Sequence, residues 1–205
     1  KYNNKEQSLT PVSYSEATAQ LSVLPDFALV ADVDARKQQF FDFLEAYVSA
    51  ENRRLLLRRE TLAMFSRILA NGHPLSPSER LSLAKIALDY RISFNSDAGQ
   101  SGDTALVGQL LRRVDAIPVS LVLAQAANES AWGTSRFAVD GNNLFGQWCY
   151  EEGCGFVPRE RVDKASHEVR RFNTIAATVS AYFKNLNTHT SYQHFRRMRA
   201  HMRDQ

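Results

Sequence analysis

The sequence predicts a mainly α protein (α+β), a helical body with a small β-lobe and an N-terminal helical extension. Three observations predict it. From Phe40 to Leu69, apolar residues recur at helical spacings. Further on, compact helix-start signals stand at Ser76-Pro77-Ser78-Glu79 and again at Asp115 to Pro118. Residues 146–172 instead carry Trp148, Tyr150, Phe156, Val157, Val169 and Phe172 among the breakers Gly153, Gly155 and Pro158, which suits short strands.

Each element follows from local chemistry. Residues 1–33 lack periodicity and hold Pro11 and Pro25, so they read as an extended arm with a short helix near Ser15 to Leu21. Asp34 is a candidate cap for the next segment, and Asn71-Gly72 is a stop signal. Between them lies one long helix, or two broken near Ser49 to Arg54. Ser76, Pro77 and Glu79 form a capping box with proline at the first helical position, opening a helix to about Arg91. A helix after Asp103 ends near Ala116. Pro118 then opens Val119 to Glu129, small and apolar nearly all round and therefore expected to be buried. Residues 140–147 form a turn-rich loop. Asn173 is positioned to cap a helix over 174–187, and Ser191 to Arg203 forms a last basic helix. The expected organisation is an arm over 1–33, a helical extension over 34–104, and a catalytic part over 105–205.

Composition narrows the class. The 205 residues are 44% hydrophobic and 23% charged, ordinary values for a globular protein. The longest apolar stretch, Val119 to Ala127, is interrupted by Ser120 and Gln125 and is far short of the ~20 residues of a membrane span. Residues 1–15 hold no apolar targeting run. The net charge is +3, but residues 156–205 hold ten Lys and Arg against four Asp and Glu, so that end is basic. It suits an acidic partner such as nucleic acid, anionic lipid or an acidic cell-wall polymer, or else a solvated helix face. Its basic residues follow no nucleic-acid-binding motif. The histidines lack ligand spacing such as H-E-x-x-H, so no metal or other cofactor is expected. Cys149 and Cys154 are the only cysteines. They form either a local disulfide across a hairpin or two unrelated thiols. The disulfide is the favoured reading, and it implies an oxidising compartment.

The stretch that carries chemistry is AQAANESAWG, residues 124–133. A helix of small apolar residues ends there in a carboxylate, Glu129. A carboxyl held among apolar groups at the negative end of a helix dipole keeps its proton more tightly. A glutamic acid protonated near neutrality can protonate a leaving oxygen, as glycosidic cleavage requires. The company it keeps points the same way. Trp132 follows at once, and GNNLFGQW at 141–148 adds the amides of Asn142 and Asn143 and the flat faces of Phe145 and Trp148. Aromatic faces with convergent amides suit sugar rings.

AQAANESAWGTSRF followed by GNNLFGQW resembles the glucosaminidase family of bacterial cell-wall hydrolases, glycoside hydrolase family 73. HEVRRF at 167–172 and TVSAYFKNLNTHTSY at 178–192 resemble that family's closing region. The Cys149/Cys154 segment, VPR at 157–159 and NLNTH at 185–189 resemble its Bax branch, envelope proteins of Gram-negative bacteria. The resemblance implies a lysozyme-like helical domain with a β-lobe across a cleft. It implies an endo-β-N-acetylglucosaminidase that cleaves the β-1,4 bond after N-acetylglucosamine in peptidoglycan, in the periplasm or cell envelope. Carried over by position, Glu129 is the catalytic acid. Ser130, Trp132, Asn143, Phe145 and Gly146 match motif positions around the cleft, and Tyr192 matches a tyrosine of the active site.

The second catalytic group stays open. Glu160 in VPRERVD is the best positional match to a carboxylate of the family's β-lobe, with Glu151 and Glu152 as competitors. The acetamido group of the substrate is another candidate nucleophile. A lytic transglycosylase on the same glycan and a non-catalytic peptidoglycan-binding or scaffold protein are the alternative functions. The expected partner is the glycan strand, and the expected state is a monomer.

Overall fold

The computed structural model describes residues 24–158 and 167–203. Most of the expected arm, including its short helix, and Glu160 lie outside the described residues. Helix α1 runs unbroken over Val33–Ala70. Helices α2 (Pro77–Asp89), α3 (Gly99–Arg113), α4 (Val119–Ser130) and the short α5 (Arg136–Gly141) follow. Strands β1 (Trp148–Cys149), β2 (Gly155–Phe156) and β3 (Glu168–Arg170) form the lobe. Helix α6 (Ile175–Thr188), a 3-10 turn at Thr190–Tyr192 and α7 (Gln193–Arg203) close the chain. This is a mainly α, lysozyme-like arrangement with a small antiparallel β-lobe.

The start of α1 differs from expectation. Asp32 caps it, accepting the Ala35 N–H at 2.7 Å, while Asp34 lies in the first turn and pairs with Lys37. The chain just before it is docked. Phe27 is buried, its ring edge-on to Phe40 at 5.5 Å and to Phe43 at 5.9 Å. Helix α1 does not break near Ser49 to Arg54, because its mid-helix polar residues have partners. Buried Glu51 accepts two hydrogen bonds from Arg54 at 2.6 and 2.8 Å. Asn52 donates to the Ile117 carbonyl and accepts its N–H, both at 2.8 Å, locking α1 to the entry of α4.

The expected capping box at Ser76 forms, with both reciprocal bonds to Glu79 present. Helix α3 starts earlier than expected, at Gly99. Asp103 therefore lies inside it, buried, and pairs with Arg80 at 2.9 Å instead of capping. Thr174, not Asn173, caps α6. Helix α1 packs against α3, α4 and α6, and one continuous core links Phe40, Leu62, Leu83, Leu110, Val122 and Phe183. The expected boundary at 104/105 falls within α3, and this core crosses it. Truncating a ring such as Phe40 to Ala in a core of this kind costs about 3–5 kcal/mol.

In the β-lobe the strand order is β1-β3-β2, with Trp148 opposite Val169 and Phe156 also opposite Val169. The disulfide Cys149–Cys154 is present, with 6.2 Å between its Cα atoms. It does not bridge a β1–β2 hairpin. It closes the loop between two strands that flank β3. Two features fix this order. Gly155 sits so close to β3 that a Cβ would lie 2.0 Å from the Val169 carbonyl oxygen, so only glycine fits. The buried Glu168 carboxylate accepts the N–H groups of Gly153 at 3.0 Å and Gly155 at 2.8 Å, tying the loop to the central strand.

The basic end divides between surface and fold: Arg170, Arg171 and Lys184 are exposed, while Arg196 and Arg199 are drawn into the structure. Asp115, 2% exposed, faces Arg59, Arg199 and Arg203. Arg199 also donates to the Asn187 Oδ1 at 2.8 Å and to the Ala116 carbonyl at 3.1 Å. Burial pushes its guanidinium down to about 10, against the upward pull of Asp115. Arg196 is buried and donates to the carbonyls of Leu186 and His189, both at 2.8 Å. These arginines dock α7 on the end of α3 and on α6. Arg197 stays exposed.

Candidate active site

The site is built from the last turn of α4. Ser130 is fully buried; its Oγ donates to the Ala126 carbonyl at 2.6 Å and accepts the Gly133 N–H at 2.8 Å. The chain then passes through two non-glycine residues in the left-handed region, Ala131 (φ 50°) and Trp132 (φ 59°). Such residues cost of order 1–3 kcal/mol each and persist only where the surroundings impose them. The result is an abrupt helix end, with Glu129 on its last turn.

Helix α4 is not buried all round. Ala126 and Ala127 face the core, while Leu121 and Glu129 are exposed and Gln125 is half-buried. Those three, one helical turn apart, line an open cleft of about 1040 Å³. Glu129 thus stands on the wall of a cleft and not within the apolar surroundings expected for it. Gln125 Nε2 donates to Glu129 Oε1 at 2.9 Å. Across from it lies Gly146 (φ +60°), where a Cβ would sit 3.0 Å from Glu129 Oε2.

Asn143 shapes the loop that carries Gly146. It is buried, and its side chain makes four hydrogen bonds. Its Nδ2 donates to the carbonyls of Gln147 and Arg170, both at 2.8 Å. Its Oδ1 accepts from the N–H groups of Gln147 at 3.0 Å and Phe145 at 3.4 Å. Asn142 donates to the Phe172 carbonyl at 3.0 Å. Phe145 stacks on Tyr182 of α6, centroids 4.1 Å apart and planes 4° from parallel. Both rings line the cleft, with Tyr192, His189 and Phe195 continuing the wall. At the β-lobe end, Trp148 on β1 and Tyr150 just beyond it are 56% and 70% exposed, and Trp148 stacks on His167 at 4.3 Å.

The residues expected at the site therefore divide. Glu129, Phe145, Gly146, Trp148 and Tyr192 meet at the cleft. Ser130, Asn142 and Asn143 hold its backbone through the bonds above. Trp132 points away and packs on Phe41 and Phe40, at 5.1 and 6.0 Å, with Lys37 over its ring. Glu151 and Glu152 are exposed and do not line the cleft. Among the described residues, Glu129 is the one carboxylate that does. Gln125, Gln147, Tyr182 and Arg91 also line it and were not singled out from the sequence. Gln125 had a readable signal, its i,i+4 spacing to Glu129.

Two consequences are measurable. Gly146→Ala places a methyl group against Glu129 and strains the left-handed turn, so steady-state assays should show lost turnover while folding stability drops by only about 1 kcal/mol. Burial, with smaller contributions from Tyr192 and Glu129, pushes the Tyr182 phenol up to about 12 from 10.0. The folded state then holds a proton that the unfolded chain loses, so this stabilisation is complete below pH 10 and disappears as pH rises through about 12. Alkaline absorbance titration should show a late tyrosine step that is missing in Tyr182→Phe.

A helical body, a three-stranded lobe and a glutamate at a helix end facing an aromatic-rimmed cleft define a lysozyme-like glycosidase-type protein. Residues 105–204 match the glucosaminidase family, described as mannosyl-glycoprotein endo-beta-N-acetylglucosaminidase. Over those residues the chain is similar to that family, and over most of its length it is similar to a Bax-type relative. It is 36% identical over 192 residues to Protein bax of Escherichia coli (strain K12), covering 93% of this chain and 65% of that relative. No solved structure matches the chain.

Proposed function

We propose that this chain is a peptidoglycan hydrolase, an endo-β-N-acetylglucosaminidase that cleaves the β-1,4 bond after N-acetylglucosamine with Glu129 as general acid. The observation that carries the reading is the placement of Glu129. It is the one carboxylate among the described lining residues of a cleft large enough for several sugar rings, fixed by Gln125 and opposed by glycine-only space at Gly146. The match of residues 105–204 to the glucosaminidase family supports a glycan substrate.

In this mechanism Glu129 donates its proton to the glycosidic oxygen as the C1–O bond breaks, and positive charge develops on the departing ring. Gly146 leaves room for the leaving oxygen beside the carboxyl. Phe145 and Tyr182 form a flat apolar wall, and Trp148 and Tyr150 supply stacking faces at the lobe end. The charge at C1 is met by the acetamido oxygen of the same sugar or by a carboxylate, with Glu160 the candidate for the latter; water then attacks C1, leaving its hydroxyl on the new reducing end and returning its proton to the Glu129 carboxylate. Tyr192 and Tyr182, which line the cleft, orient the acetamido group in this reading. The disulfide fits action outside the cytoplasm, in the periplasm or cell envelope.

The test is the chemistry of the new chain ends. Purified peptidoglycan is digested, the products are reduced with borohydride, and their masses are read. Ends in reduced glucosaminitol support the proposal. Anhydromuramyl ends would make the chain a lytic transglycosylase, and intact strands that stay bound would make it a binding protein.

A further inference from the structure

Among the described residues, the charges that line the cleft do not balance. Against one carboxylate, Glu129, the described lining residues include three cations, Arg91, Arg170 and Lys184. Nearby arginines of α1 are neutralised, Arg54 by Glu51 and Arg58 by Asp89 at 2.8 Å. Arg91 and Lys184 have no carboxylate partner among the described residues. Both are exposed. They also lie at one end of the cleft. Lys184 lines, besides the cleft, a side cavity of about 170 Å³ walled by Asp89 and Tyr90, the residues just before Arg91.

The backbone at Arg91 carries an independent sign. Helix α2 ends in a Schellman motif, with Ile92 N–H on the Ala87 carbonyl at 2.9 Å and Arg91 N–H on the Leu88 carbonyl at 3.1 Å. The residue at the turn must be left-handed, and Arg91 has φ 55°. Glycine is the usual occupant of this position because it avoids a Cβ penalty. An arginine there strains the turn, and Arg91 is among the residues that line the cleft. A strained residue at a site wall is the pattern in which strain accompanies function.

We infer that Arg91 and Lys184 form a carboxylate-recognition subsite, through which the cleft selects glycan strands with acidic substituents over neutral ones. The inference rests on the glycosidase reading above and names its substrate class. The ligand group is a carboxylate beside the sugar chain, on either the lactyl ether or the peptide of a peptidoglycan strand. The helical extension thereby contributes recognition as well as core, since Arg91 lies outside the part that matches the glucosaminidase family.

The experiment compares wild type, Arg91→Gly and Lys184→Gln on three substrates. These are peptide-bearing strands, strands stripped of peptide by an amidase and so left with the lactyl carboxylate, and neutral N-acetylglucosamine oligomers. Each variant is expected to lower the kcat/KM preference for carboxylate-bearing over neutral substrate at least tenfold, through KM, and to flatten its salt dependence. Arg91→Gly should melt no lower than wild type, because it relieves the left-handed turn. Loss on both acidic substrates assigns the lactyl group; loss on peptide-bearing strands alone assigns the peptide. An unchanged preference, or equal losses on acidic and neutral substrates, would overturn the subsite. If wild type cleaves none of the three, the glycosidase reading fails separately. Retention on purified sacculi then decides the subsite: weaker retention of both variants at low salt supports it, and retention equal to wild type overturns it.

Discussion

Glu129→Gln is expected to lower cleavage of peptidoglycan by about 10²- to 10⁴-fold, the usual contribution of a positioned proton donor. The substitution keeps the shape and the reach of the side chain. Its amide still meets Gln125, and Gly146 still leaves the facing space open. Helical content, melting and glycan binding should therefore stay near wild type while turnover falls. An internal readout accompanies the loss. The Glu129 charge helps hold the Tyr182 phenol at about 12, so removing it should bring the late tyrosine step to lower pH. A variant that loses activity without moving that step would place the two groups further apart than the structure does.

Asp115→Asn is expected to have the largest effect on stability. Asp115 is 2% exposed and faces three guanidinium groups, one of which, on Arg199, is itself largely buried. Removing one partner of a buried charge cluster leaves the others uncompensated and costs about 3–5 kcal/mol. For a chain of this size that lowers the melting temperature by roughly 6–20 °C. The consequence for function is indirect. Asp115 and Asn187 anchor α7 through Arg199, and α7 with the preceding turn brings Phe195 and Tyr192 to the cleft. Replacing Asp115 should thus loosen that wall before the rest of the molecule unfolds, and chemical denaturation followed at the two ends should show it.

Much of this was legible in the sequence because the signals were local. Periodicity marked α1, and Ser76 to Glu79 marked the start of α2. The pairing of a glutamate at a helix end with a following aromatic and amide loop marked Glu129, Phe145 and Trp148 at the cleft, and the family resemblance added Gly146. What was missed depended on partners far along the chain. Glu51 and Asn52 looked like a helix break until Arg54 and Ile117 were seen to satisfy them. Asp103 resembled a cap but belongs to Arg80. Arg196 and Arg199 were indistinguishable, as sequence, from a solvated basic face, and became structural only beside Leu186, His189 and Asp115. Trp132 matched a cleft motif yet turns inward, since the left-handed run after Ser130 aims it at Phe40 and Phe41. Arg91 carried no signal at all, because its sequence neighbourhood does not reveal the sign of φ.

The most direct measurement of the central claim is a crystal structure of Glu129→Gln with a bound peptidoglycan fragment that spans the cleft. The side-chain amide should lie within about 3.2 Å of one glycosidic oxygen, the one on the reducing side of N-acetylglucosamine. A fragment seated in the cleft with every glycosidic oxygen beyond the reach of residue 129 would contradict the assignment of Glu129 as the proton donor.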